Sequence, residues 1–130
     1  MQKEFENLNV KIGSIVIDCT NFDKMLSFWQ DALHYVPKAP AKGGWVILRD
    51  PDQKSPNVSL NLAPIKHKRR NRMHVDLYAD DRETEVERLL KLGATWHRQR
   101  YAPTDDFRVL KDPDGNLFCV VQKKTSGTKA

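Results

Sequence analysis

The sequence predicts an α+β fold built from two copies of one strand–helix–strand unit. The first observation is a repeated turn, because Asp50-Pro51-Asp52 and Asp112-Pro113-Asp114 stand 62 residues apart (112 − 50) in a chain of 130 residues. A spacing of about half the chain is what two tandem copies would produce. The second observation is that each half opens with a run rich in strand-forming residues, followed by apolar residues at helical spacing. Each half therefore combines strands with one helix.

The second turn, Asp112-Pro113-Asp114-Gly115-Asn116, has the composition of a tight reversal. Proline presets one turn dihedral, glycine accepts a positive φ, and the Asp and Asn side chains bond nearby backbone amides. The flanking runs 107–110 and 117–121 are short and contain Val and Phe, which favour strands. The two runs are therefore predicted to form a β-hairpin.

Residues 11–65 are predicted to form the first module, after a polar N-terminal extension at 1–10. The run 11–19 is rich in Ile and Val and predicts a strand. Thr20 is the predicted N-cap, with Asp23 three positions later as in a capping box, of a helix over about 21–34. The remaining predicted elements are a loop at 37–44, a strand at 45–49, a turn at 50–56 and a strand at 57–63.

Residues 73–122 are predicted to form the second module, after a basic linker at 66–72. A strand over 72–79 leads into a helix capped by Asp80 or Asp81. The remaining predicted elements are a strand at 95–101, the hairpin strands at 107–111 and 117–122, and a disordered tail at 123–130. The two modules together make one domain, which suits the chain length.

The chain is basic, with a formal net charge of +5 and a pI near 9.3. Much of the excess positive charge lies in 66–72 and 123–129. A solvated linker and tail is the favoured interpretation and nucleic-acid contact is the alternative, because blocks of like charge are weak evidence for a binding site. Nucleic acid is therefore not expected as a partner.

The sequence carries no signal for a membrane or for secretion. No apolar run approaches the roughly 20 residues of a membrane span, and the first residues lead into no apolar core of a signal peptide. Cys19 and Cys119 are too few for a disulfide scaffold, so both are expected to be reduced. A cytoplasmic location is the expectation.

The predicted sheets have two faces of different character. Apolar positions such as Ile15, Ile17 and Leu60 alternate with a second set that is half polar. The apolar set also includes Val58, Leu62, Val75 and Leu77, and the half-polar set includes Ser14, Asp18, Asn61, His74, Asp76 and Tyr78. A sheet with a helix on one face must cover its other face as well. The fold class is therefore completed as curved mixed sheets around a concave cavity that takes a ligand.

The pattern resembles the vicinal oxygen chelate superfamily, which includes glyoxalase I, extradiol dioxygenases, methylmalonyl-CoA epimerase and the bleomycin and fosfomycin resistance proteins. The resemblance covers residues 11–122 and is most specific at 112–116, between two strands. It is supported by Ile15-Val16-Ile17-Asp18 before the first helix and by Met73-His74-Val75-Asp76-Leu77 at the start of the second half. It implies paired βαβββ modules and a homodimer. Within the superfamily, the chain is most similar to small glyoxalase-like proteins.

The resemblance also implies where a divalent metal would bind. In metal-dependent relatives, four ligands, mostly His and Glu, come from the first and last strands of each module. Those places fall on Ser14, on His74 and on Cys119, where relatives carry Glu, while the inward residue of strand 57–63 is Ser59 or Asn61. Only His74 is a strong ligand of the expected type. Because about three good protein ligands are needed, no metal or other cofactor is expected.

The predicted site is a set of residues on the half-polar face. His74 is the candidate catalytic residue, as a general base, or else a cavity-lining histidine bonded to its neighbours; both interpretations stay open. The candidate ligand-binding residues are Ser14, Trp45, Asn61, Asp76 and Cys119. The leading hypothesis is a small-molecule binder without the usual metal. The alternatives are a metal-dependent lyase, isomerase or dioxygenase that uses His74, and a drug-sequestering resistance protein.

Overall fold

The computed structural model describes residues 9–63 and 73–125. Helix α1 spans Phe22–Leu33 and helix α2 spans Arg82–Lys91. The strands are β1 (Val10–Cys19), β2 (Val36–Pro37), β3 (Trp45–Arg49), β4 (Asn57–Leu62), β5 (Met73–Ala79), β6 (Thr95–Trp96), β7 (Phe107–Lys111) and β8 (Leu117–Gln122). The predicted basic linker at 66–72, the first eight residues and the end of the predicted tail lie outside the described residues.

Both repeats have the order βαβββ, and their strands are arranged in the same way. The strand order is β2-β3-β4-β1 in the first repeat and β6-β7-β8-β5 in the second. In each repeat the first and last strands are parallel neighbours, and the other neighbours are antiparallel. The α+β fold class with mixed sheets is confirmed.

The chain divides into two compact units, Ser14–His74 and Met1–Gly13 with Val75–Ala130. The boundaries fall inside β1 and β5, so each of these strands contributes residues to both units. Each unit has its own apolar cluster. Ile17, Leu48 and Leu60 form the centre of the first cluster, and Ala79, Leu110 and Val120 that of the second.

Each helix covers its own cluster with one apolar face. On α1 the packing residues are Phe22, Met25, Leu26, Trp29 and Leu33, and on α2 they are Val86, Leu89 and Leu90. Their spacing of three and four residues places them on one side of the helix. In the described part of the chain, neither helix has the length and apolar character needed to cross a membrane.

The two predicted turns are confirmed, and their aspartates organise them. The Asp50 carboxylate accepts hydrogen bonds from the amides of Asp52, Lys54 and Ser55 at 2.9–3.0 Å. Asp112 does the same for Asp114 and Asn116, each at 2.9 Å. Because these bonds favour the charged carboxylate, the pKa of each aspartate is lowered, at Asp112 chiefly by the Asn116 side chain and at Asp50 chiefly by the Asp52 amide.

Three local predictions were wrong in detail. The N-cap of α1 is Asn21, not Thr20, since the Asn21 side chain accepts the Lys24 amide. The predicted loop at 37–44 begins inside β2, which pairs with β3. The predicted strand at 95–101 stops after Trp96. The Val109 amide, which a longer strand would bond through a backbone carbonyl, donates its hydrogen to the Tyr101 hydroxyl.

A close contact joins β1 to β5 at Gly13. A Cβ atom at this position would lie 2.2–2.3 Å from the ring carbons of Tyr78. Tyr78 is buried, and the Lys123 ammonium stands 4.8 Å from its ring centroid. Glycine is therefore required here because the tyrosine ring lies against the backbone, although φ at Gly13 is not positive.

Candidate functional site

The parallel register of β1 and β4 places polar residues next to each other in the first repeat. Ser14 pairs with Asn57, Val16 with Ser59, and Asp18 with Asn61. The register of strand 57–63, which the sequence left open, is settled by these pairs. Residues at even positions of β1 and odd positions of β4 share the face opposite α1.

Ser14 and Ser59 are buried and satisfy each other. Their hydroxyl oxygens stand 2.6 Å apart, and each residue is only 1% exposed. A buried hydroxyl without a hydrogen-bond partner would lower the stability of the fold, and each serine supplies the partner that the other needs. Ser14, which the sequence predicts as a ligand-binding residue, is buried and hydrogen-bonded to Ser59.

Ser14→Ala should lower the free energy of unfolding by about 1–3 kcal/mol, because it leaves the Ser59 hydroxyl buried without this partner. Adding Ser59→Ala should cost less than the two single changes summed, since the double variant leaves neither hydroxyl unpaired. Chemical denaturation measures all three variants. Ser27→Ala on the exposed side of α1 is the control and should change stability by under about 0.5 kcal/mol. Strictly additive effects would contradict the pairing.

A second group lies at the end of the same face. The Asn61 side-chain amide donates to the Asp18 carboxylate at 3.2 Å. Trp45 is directly opposite Asn61 in the antiparallel pair of β3 and β4 and is 38% exposed. Because directly opposed residues of an antiparallel pair share one face, the indole stands beside the Asn61–Asp18 pair. The arrangement offers an aromatic surface next to an amide and a carboxylate.

The second repeat brings together an imidazole, a carboxylate and a thiol. His74 and Asp76 lie on the same face of β5, and Asp76 pairs with Cys119 on β8. His74 is the last residue before the unit boundary, two positions from Asp76 on a continuous strand. Asp76 and Cys119 are both half-buried.

The Cys119 thiol is strongly held in its protonated form. Its pKa is raised to about 12, first by burial and then by the charge and hydrogen bond of Asp76, with a smaller contribution from the charge of Asp106. Two carboxylates therefore act on one sulfur. A thiol in this environment is a poor nucleophile at neutral pH.

The two polar groups occupy equivalent places in the two repeats. His74 and Cys119 each follow their first-repeat counterparts, Ser14 and Ser59, by 60 residues (74 − 14 and 119 − 59). Their neighbours agree, because Val16 pairs with Ser59 as Asp76 pairs with Cys119. Both repeats therefore carry polar side chains at these two positions. They are hydroxyls in the first repeat, and an imidazole and a thiol in the second.

These residues do not fit the metal site that the resemblance implies. That site needs His and Glu ligands from both modules, whereas the first repeat offers two serines bonded to each other at 2.6 Å. In the second repeat Cys119 stands where relatives carry Glu. Hard divalent cations prefer oxygen ligands, and neutral hydroxyls are weak ones. No catalytic step is therefore assigned to such an ion.

The structure sorts the sequence-predicted residues into two groups. Trp45 and Asn61 share the exposed end of the first-repeat face, while Asp76 lies opposite Cys119 in the second repeat. The sequence placed Asp18 and Asn61 on the half-polar face but did not pair them. Alternation along β1 places Asp18 on the same face as Ser14, but only the register with β4 shows its partner.

Known proteins resemble the chain in family and in fold. The model of the glyoxalase-like domain matches residues 14–121. No curated protein matches. A glyoxalase/bleomycin resistance protein/dioxygenase superfamily member from Vibrio splendidus 12B01 is 18% identical, with a TM-score of 0.56 over 88% of this chain and 97% of that one. A hypothetical protein from Bacillus halodurans C-125 is 15% identical, with a TM-score of 0.65 over 89% and 96%.

A third similar structure is the Mn(II)-bound glyoxalase from Novosphingobium aromaticivorans. It is 19% identical, with a TM-score of 0.56 over 86% of this chain and 38% of that one. At these identities the structural likenesses concern the fold alone. The family match extends over most of the chain and over both repeats. The chain therefore belongs to the glyoxalase-like domain family, within the vicinal oxygen chelate superfamily.

Proposed function

We propose that this glyoxalase-like protein binds a small organic molecule on the half-polar face of its first repeat and works without the usual catalytic metal of the superfamily. One observation carries the proposal: this face combines the exposed Trp45 indole with the Asp18–Asn61 pair, while Ser14 and Ser59 are bonded to each other. The face has groups that suit an organic ligand and lacks strong metal ligands at the places that the resemblance implies.

The groups also favour a class of ligand. A partly exposed indole binds flat, unsaturated rings by stacking, at a gain of about 1–3 kcal/mol in comparable sites. Asn61 already gives one amide hydrogen to Asp18, and the carboxylate accepts further donors. A planar molecule that carries an N–H donor at its edge is therefore the ligand class we propose.

The metal-dependent alternative is less well supported. A lyase, isomerase or dioxygenase that uses a divalent ion needs ligands held in a fixed open geometry. The serine pair of the first repeat does not provide its half of such a set. His74 keeps its two interpretations, as a general base toward the bound molecule or as a residue bonded within its own cluster.

The binding proposal predicts a large effect of Trp45→Ala. Nicotinamide, adenine and benzamidine are suitable planar probes, and ligand-observed NMR measures their binding to the full chain. Removing the indole should weaken any probe that binds by about tenfold or more, since it removes the stacking surface. Trp96→Ala is the matched control because Trp96 is similarly exposed, at 47%, on β6 of the second repeat.

Two outcomes would contradict the proposal. Equal probe binding by wild type and Trp45→Ala would show that the indole is not the stacking surface. A larger loss of binding in Trp96→Ala than in Trp45→Ala would place the binding site in the second repeat.

Asp18→Asn should weaken the binding of probes that carry N–H donors and leave the binding of probes without such donors unchanged.

We also infer a cytoplasmic homodimer. The free state of Cys19 and Cys119 supports a reducing compartment, and the dimer is implied by the resemblance to the superfamily. Light scattering after size-exclusion chromatography measures the mass directly, and a monomer at micromolar concentration would contradict the dimer.

A further inference from the structure

We infer that β6 is a docking edge for an extended acidic segment of a partner protein, which adds to the sheet of the second repeat as a further strand. Strand addition of this kind uses the unpaired backbone groups of an exposed sheet edge. The inference goes beyond the proposed function, since it concerns other residues and another class of ligand.

The outer side of β6 has unpaired backbone groups. Within the described residues, β6 is the last strand of the second repeat, and no strand lies beyond it. Trp96 is opposite Leu110 on β7, and the next amide, that of His97, donates to a β7 carbonyl at 3.1 Å. Because backbone groups alternate in direction along an antiparallel strand, Trp96 directs its N–H and C=O away from β7. One donor and one acceptor are therefore open to a partner strand.

The first repeat has a proline at the equivalent place of its own edge strand. Pro37 on β2 is opposite Leu48, and the next amide, that of Lys38, donates to a β3 carbonyl at 2.8 Å. The same pattern recurs at Trp96, 59 residues later (96 − 37). Proline has no N–H and protects an edge strand against further pairing. The outward N–H is thus absent in the first repeat and present in the second.

The charge around β6 selects an acidic partner. The stretch 88–104 contains four Arg and Lys residues and no Asp or Glu. Arg98 and Arg100, which follow β6, are exposed, and in the part of the chain that the structure describes neither forms an ion pair. A second copy of this edge would bring its own arginines close to these, and like charges across a strand pair are unfavourable. A strand that carries Asp or Glu is therefore the occupant that fits.

Amide-resolved NMR of the full chain tests the docking edge with a capped peptide of about eight residues in which Glu and Val alternate. We expect shifts of the Trp96 and Arg98 amide signals that saturate at one peptide per chain. The same peptide with an N-methylated backbone cannot donate to a strand and should bind at least tenfold more weakly. A peptide of alternating Lys and Val should also bind at least tenfold more weakly, because its charge repels the arginines.

Trp96→Pro copies the first repeat, since it removes the outward N–H and leaves the bonds to β7 in place. It should weaken binding of the Glu–Val peptide at least tenfold. Trp96→Ala keeps the N–H and loses only the indole, so its effect should be smaller. Leu92→Ala removes another exposed apolar side chain and should bind the peptide as wild type does.

Charge reversal gives a second test that does not depend on how well the proline variant folds, which circular dichroism checks. Arg98→Glu combined with Arg100→Glu should make the Lys–Val peptide bind more tightly than the Glu–Val peptide. An unchanged preference for the Glu–Val peptide would overturn the inference.

Four other results would overturn the inference. The first is that the Glu–Val peptide shifts no amide of residues 95–100 at millimolar concentration, and the second is that the N-methylated peptide binds equally well. Tighter binding of a single-stranded oligonucleotide than of the peptide would make this edge a nucleic-acid surface. A change from dimer to monomer in Trp96→Pro, measured by light scattering, would assign the edge to a second copy of the chain. Planar-probe binding that depends on Trp45 uses different ligands, so either proposal can fail without the other.

Discussion

Replacing Gly13 by alanine is expected to destabilise the protein by about 3 kcal/mol, the upper end of what overpacking costs. The new Cβ would lie 2.2 Å from ring carbons of Tyr78, far inside van der Waals contact. The ring is buried and Lys123 stands near it, so either the ring or strand β1 must move. Thermal unfolding should show a midpoint lowered by about 10 °C for a chain of this size.

A double-mutant cycle separates the clash from other effects of losing a glycine. Tyr78→Ala removes the ring, and Gly13→Ala should then cost little more. Gly43→Ala is the matched control, because a Cβ there meets nothing within 4 Å and only its φ of +61° is unfavourable. That control should cost about 1–2 kcal/mol. If Gly13→Ala lowers the free energy of unfolding as much in the Tyr78→Ala background as in wild type, the clash is contradicted.

The Cys119 thiol is expected to react with iodoacetamide about a thousandfold more slowly in the folded, EDTA-treated protein than in the unfolded chain at pH 8. The pKa of about 12, against an ordinary value of 9.0, leaves correspondingly little of the reactive thiolate. Peptide mass spectrometry measures Cys119 separately from Cys19, whose pKa burial also raises. A folded-state rate within tenfold of the unfolded rate would contradict the prediction.

The neighbouring carboxylates supply matched variants for this reactivity. Asp76→Asn removes both a charge and a hydrogen bond that favour the neutral thiol, so alkylation should accelerate by about tenfold. Asp106→Asn removes the smallest of the causes, and its effect should be weaker. Burial, the largest cause, remains in both variants, so neither should reach the rate of the unfolded chain.

The same raised pKa affects stability in alkaline solution. The unfolded chain loses the Cys119 proton near 9, while the folded chain keeps it until about 12. The folded state therefore binds more protons between these values, and its stability falls as the pH rises from 9 toward 12. Below pH 9 both states hold the proton, so this group has no effect on the pH dependence there.

Local chemistry explains why so much of the fold was predictable. The turns at Asp50 and Asp112 are organised by carboxylates that bond amides two to five residues away. Such contacts depend on nearby residues alone, so the repeat is visible in the amino-acid sequence itself. Helix positions are equally clear from apolar spacing, although the N-cap of α1 lies one residue later than predicted, at Asn21.

The candidate site was only partly predictable. Asn61, His74 and Asp76 were chosen for their chemical type and their place on the half-polar face. Trp45 was chosen as an aromatic residue, and Cys119 for a place that the resemblance implies. The sequence offered Asp76 as a ligand contact but did not show which residue lies opposite it. Alternation along β5 already placed Asp76 and His74 on one face, and that signal was present in the sequence. The pairing of Asp76 with Cys119 was not.

The sequence by itself determined the repeat, the class of each main element and the residue types on the half-polar face, because these depend on contacts within a few residues. The tertiary structure decided which polar residues meet. Ser14 and Ser59 are 45 residues apart, and they meet because parallel strands joined by a long crossover share one register. No nearby residue specifies that register; the packing of whole strands and helices does. The same packing placed Ser14 against Ser59 in the first repeat and Asp76 opposite Cys119 in the second.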